Sequence, residues 1–149
     1  MLLLLAAAAL GTPRADEPAL AVVVNPGVEV DELSFAELRK IMLGDRQFWT
    51  SGQRITLIVR APVADERTAM LESIYRMSEA QFRQYWIAKV FRAEATSGPR
   101  VVVSNDEAVD LVGVIEGGIA VVALSDVPEG IKVLRIDGKM PREPGYLGE

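Results

Sequence analysis

Apolar and polar residues alternate along this chain with two distinct periods. A run of β-branched and small apolar residues at 19–24 (ALAVVV) is cut off by Asn25-Pro26-Gly27, and it reads as a strand closed by a tight turn. At 34–43 the period changes. Phe35, Leu38, Ile41 and Met42 fall on one helical face, Ser34 and Glu37 have the spacing of a capping box, and Gly44 stands where a helix ends in a left-handed residue. The stretch 55–59 (ITLIV) predicts a second strand, and 68–77 a second helix with Met70, Leu71, Ile74 and Tyr75 on its apolar side. Ser78 and Gln81 form another capping box and open a helix to Phe91, with Phe82, Tyr85, Trp86 and Val90 expected inward.

Further along, 101–103 (VVV) predicts a strand, Ser104 with Glu107 starts a helix to about Glu116, and Gly117-Gly118 leads into a buried strand at 119–124. A last strand is expected at 132–136, and the Gly- and Pro-rich tail from Asp137 is expected to be extended. Strands alternating with helices predict an α/β domain: a mainly parallel sheet with helices on both faces.

The first residues stand apart from this rhythm. Residues 2–10 are uninterruptedly apolar, too short for a bilayer span, which needs about 20 residues. They suit the core of a secretory signal with cleavage after Ala15, so 1–15 is expected to be a leader and 16–149 the mature domain, periplasmic or secreted. The positive residues that ordinarily precede such a core are absent, as with a misplaced start codon or a shortened leader; the alternative is a buried N-terminal helix. No further segment in the mature chain is long and apolar enough to span a membrane.

Composition then narrows the chemistry. The 149 residues contain no His and no Cys, which removes Cys/His zinc sites, disulfides, thiol nucleophiles and Ser-His-Asp catalysis, and with them a lipid-modified cysteine anchor. A formal net charge of −5 argues against a nucleic-acid partner. No Walker-type loop, HExxH or GxSxG is present, so the chain reads as non-enzymatic, with no cofactor and no metal. Adjacent acids near capping signals read as helix starts. A carboxylate-dependent hydrolase would need a pocket lined by two isolated acids.

Several motifs now fall into order. Residues 21–28 (AVVVNPGV), 33–44 (LSFAELRKIMLG) and Trp49, then Gly117-Gly118-Ile119-Ala120-Val121 and Ile136-Asp137-Gly138 followed by Pro141, resemble one lobe of the phosphate-binding proteins of ABC transporters. The resemblance covers about 19–145, and it is strongest to short, single-domain members of that periplasmic-binding-protein-like superfamily. It implies a solute-binding fold in which an Arg after the second strand and a Ser-Gly-Thr at the next helix start hold an oxyanion. Backbone N–H groups and the positive helix end favour such a ligand.

Arg60 stands at the arginine position, and Asp65-Glu66-Arg67-Thr68 replaces Ser-Gly-Thr. The resemblance therefore implies an anion clamp of Arg60, Arg67 and Thr68, with the Asn25 and Ser104 loops nearby, for a small anion such as phosphate, and an ABC transporter permease as partner. Against this, Asp65 and Glu66 put two carboxylates where the anion would sit. The residues also read as Asp65 capping the helix, Glu66 stabilising its first turn, Arg60 pairing with one of them, and Ser104 capping with Glu107. The alternative function is accordingly a single-lobe module that has lost its ligand and docks on another envelope protein. Arg46 and Arg54 add positive charge around Trp49, which either stacks on a ligand or packs under its loop; Trp86 is expected in the core.

Overall fold

A computed structural model describes residues 19–148; the leader expected at 1–15 lies outside the described residues. The elements are β1 (Leu20–Val24), β2 (Glu32–Leu33), α1 (Phe35–Met42), β3 (Thr56–Arg60), α2 (Asp65–Met70) running on into a π-helical turn (Leu71–Tyr75), and α3 (Glu79–Phe91). After these come β4 (Arg100–Val102), α4 (Asn105–Val114), β5 (Gly118–Ala123), a 3₁₀ turn (Leu124–Asp126), β6 (Lys132–Val133) and β7 (Arg135–Ile136).

The central sheet has the order β4-β3-β5-β1-β6. β3 pairs parallel with both β4 and β5, while β1 runs antiparallel to its neighbours β5 and β6. The sheet is thus mixed and mostly parallel, with β1 as the one reversed strand. β2 and β7 form a small parallel pair of their own.

Alternation along the strands feeds two cores. Val22, Val24, Ile119 and Val121 face α1, the α2–π segment and α3, packing with Ile41, Ile74, Tyr75 and Phe82. Ala21, Val23, Ala120 and Val122 face the other way, onto Ala108, Val109 and Val112 of α4. β1 and β5 are therefore buried on both faces, which is why they read as unbroken apolar runs instead of alternating ones. Each such Val or Ile contributes about 1.5–3 kcal/mol by leaving water.

Local signals set the helix starts. Ser34 and Ser78 close complete capping boxes with Glu37 and Gln81. Ser104 Oγ accepts from the Glu107 N–H at 3.0 Å, but the Glu107 carboxylate turns outward to accept from Val103 N–H instead of completing the box. Gly44 ends α1 with φ +73°, and a Cβ there would lie 2.7 Å from the Trp86 ring.

Four expectations are corrected. The second helix begins three residues early, at Asp65, and its cap is Ala64, without a side-chain hydrogen bond, so Asp65 is inside the first turn. It ends before Met77, because Arg76 is left-handed. In α3 the inward row is Phe82, Trp86 and Lys89, with Val90 38% exposed; the Lys89 ammonium reaches Asp45 at 2.8 Å. The expected strand at 132–136 splits at Leu134, its halves joining different sheets, and the tail folds back so that Tyr146 and Leu147 are buried.

Candidate functional site

Three parallel strands end at one place. The carboxyl ends of β4, β3 and β5 lie side by side, the position where open α/β sheets carry their ligands. Arg60 is the last residue of β3, and Ala61 N–H bonds to Val102 O at the end of β4. The turn after β5 brings in Asp126, and the start of α4 brings in Ser104 and Asn105.

The side chains there form a continuous hydrogen-bonded cluster. Arg60 Nη1 donates to Glu66 Oε2 at 3.0 Å and to Asn105 Oδ1 at 2.5 Å, and its Nη2 donates to Val103 O at 3.2 Å. Asn105 Nδ2 in turn donates to Glu66 Oε1 at 2.9 Å and to Asp126 Oδ2 at 2.8 Å. Both Glu66 oxygens are therefore engaged, one by a guanidinium and one by an amide. That is the coordination a bound oxyanion would receive, supplied here to a protein carboxylate.

Arg67 is 4% exposed, and its guanidinium is committed to other partners. Its Nε and Nη2 hold Glu79 in a two-pronged pair at 2.7 and 2.8 Å, its Nη1 donates to Arg60 O at 2.9 Å, and its guanidinium lies over the Phe82 ring at 4.8 Å. The Arg67 hydrogen bonds hold the Glu79 carboxyl below its ordinary range. Thr68 is exposed on the next turn position. Ser104 caps α4, whose first turn carries the acids Asp106 and Glu107. Those acids satisfy the positive helix end and disfavour a second anion there.

Of the residues singled out from the sequence, the fold brings Arg60, Arg67 and Ser104 to one end of the sheet, with Thr68 on the same short helix. Asn25 is elsewhere. It follows the reversed strand β1, so its amide donates to Val112 O and Gly113 O at the far end of α4, and its Oδ1 accepts from Gly27 N–H. At about 1.5 Å rise per residue, the stretch of α4 from Asn105 to Gly113 puts roughly 12 Å between the Arg60 cluster and the Asn25 contact. Trp49 is packed under its loop, 2% exposed, with its indole donating to Gly117 O at 3.0 Å.

Sequence reasoning missed the Asn105 and Asp126 side chains as members of the cluster, and Glu79 as the partner of Arg67. Glu79 follows the capping residue Ser78 and reads as an acid favouring a helix start; only the fold turns it toward Arg67. Among the described residues no group of three His, Cys, Asp or Glu side chains is placed to hold a metal, and no helix is long and apolar enough to cross a membrane.

No family model and no curated protein matches the chain. Solved structures do. A structure from Clostridium perfringens, described as a phosphate ABC transporter substrate-binding protein with bound phosphate, superposes with a TM-score of 0.68 at 16% identity over 87% of this chain and 49% of its own. An ABC-type phosphate transport receptor from Vibrio cholerae gives 0.68 at 18% identity over 87% and 52%. PstS from Borrelia burgdorferi gives 0.67 at 19% over 86% and 51%. The chain has the fold of part of these proteins and spans about half their length.

Proposed function

We propose that this chain is a non-enzymatic domain of the cell envelope, periplasmic or secreted, built like one lobe of a solute-binding protein, whose anion clamp is filled by its own Glu66. Its work is then docking on another envelope protein. The Glu66 carboxylate, received by both Arg60 and Asn105, carries this reading. A second anion in the same place would meet that carboxylate at close range and in poor solvent screening.

The surroundings favour docking over solute capture. Val63, 94% exposed and at φ +80°, and Val103, 75% exposed, stand on the two loops that flank Arg60. A β-branched residue in the left-handed region is a strained placement of the kind found at functional loops.

The second reading keeps a small oxyanion such as phosphate as ligand and an ABC transporter permease as partner. Arg60 Nε favours it, being a buried donor without a hydrogen-bond partner among the described residues. Titration calorimetry of the chain with phosphate and with sulfate separates the two. The self-filled clamp predicts no heat at millimolar anion. Saturable heat that disappears in Arg60→Ala would establish the second reading and overturn the first.

A further inference from the structure

A cavity of about 420 Å³ lies at the other end of the strands from Arg60, on the α1/α3 face of the sheet. The start of β3, Arg100 at the start of β4, Gly44 after α1 and Trp86 of α3 border it, and the 95–98 loop closes one side. We infer that this cavity binds a small organic anion: an oxyanion head, carboxylate or phosphate, on an apolar body.

Charge supplies the first argument. Arg46, Arg54 and Arg100 all line the cavity, and among the described residues no Asp or Glu does, in a chain whose net charge is −5. Arg46 is partly committed, 3.4 Å from Glu37 and bonded to Phe48 O. Arg54 lies over the Phe48 ring, and neither it nor Arg100 takes part in an ion pair among the described residues. Free guanidiniums on one cavity match the two-pronged geometry of a carboxylate or phosphate.

Trp86 supplies the second, independent argument. Trp86 is only 7% exposed, yet among the described residues its indole N–H has no hydrogen-bond partner. Buried donors are nearly always paired, and Trp49, the only other tryptophan, is paired in the usual way. Gly44 is what lets the Trp86 ring sit so close to the chain, since any Cβ would collide with it. Trp86 lines the cavity, so a ligand seated there changes the surroundings of this unpaired donor.

Size and lining fix the rest. At about 30 Å³ per water, the cavity has room for roughly fourteen waters, far more than a bare oxyanion fills, and it lies within the usual range of small-molecule sites. Ile41, Ile55 and Leu57 give it an apolar wall, while the Thr96 and Ser97 hydroxyls stand on the loop. The site is separate from the Arg60 cluster and does not depend on how that cluster functions.

The chain has two tryptophans, so an isotope-labelled sample gives two indole N–H signals to follow by NMR. Titration with naphthoate and with phenyl phosphate is expected to move the Trp86 signal saturably and leave the Trp49 signal in place. The double variant Arg54→Ala/Arg100→Ala, both positions exposed and so compatible with folding, weakens binding about tenfold or more, whereas Arg135→Ala does not. A Trp86 signal that stays still at millimolar probe, equal affinity in the double variant, or an equal response to inorganic phosphate alone would overturn the inference.

Discussion

Arg60 and Glu66 are six residues apart in sequence and 3.0 Å apart in space, with side chains only 14% and 11% exposed. The pair is buried, so breaking it strands a charge. Glu66→Gln keeps the size and the bond from Asn105 but leaves Arg60 without its counter-charge, and the expected loss is about 3 kcal/mol in denaturant unfolding. Replacing both partners, as in Arg60→Met/Glu66→Met, removes the stranded charge and is expected to recover part of that loss.

The Arg67–Glu79 pair gives the fold an acid-side dependence. Glu79 titrates below its ordinary 4.5 in the folded chain, chiefly because Arg67 hydrogen-bonds its carboxylate. The unfolded chain therefore takes up this proton first. Stability from the pair is fully present above about 4.5 and falls as the pH drops through the folded value. Melting temperatures measured from neutral to acid pH are expected to decline less steeply in Glu79→Gln than in the parent chain.

Tyr146 ties the tail into the sheet. Its hydroxyl donates to Leu134 O at 2.6 Å and accepts from Val22 N–H at 3.1 Å, linking residues 124 positions apart. Burial pushes the phenol up to about 12. Tyr146→Phe leaves both backbone groups without this partner, and unfolding experiments are expected to register a loss of about 1–3 kcal/mol. The raised phenol also predicts stability lost as pH rises from 10 through about 12, a contribution from Tyr146 that the Phe variant lacks.

What was legible in the sequence was local. Ser34 with Glu37 and Ser78 with Gln81 mark helix starts because both partners lie within one turn, and the doubly buried β1 and β5 announce themselves by unbroken apolar runs. Elements made by distant pairing were not legible. β2 and β7 are two residues each and exist only through each other, and Leu134 divides its segment because its two sides serve different sheets. The tail reads as extended from its glycines and prolines, and only the position of Leu134 explains the burial of Tyr146.

The candidate site divides in the same way. That Arg60 meets an acid of the next helix could be read from the spacing. Asn105, 39 residues from Glu66, and Asp126, a further 21 on, enter only through the carboxyl ends of three strands. Asn25 was misplaced because the reversal of β1 against β5, which sends its turn to the opposite end of the sheet, leaves no mark in the local pattern.

If Glu66 occupies the place of a bound anion, removing its charge opens that place to one. The most direct measurement is a side-by-side calorimetric titration of the parent chain and Glu66→Gln with inorganic phosphate, after both are shown folded by circular dichroism. The expected result is no binding by the parent and saturable, salt-sensitive binding by the variant, abolished again by adding Arg60→Ala. Phosphate binding by the parent that is equal to or stronger than that of the variant would contradict it.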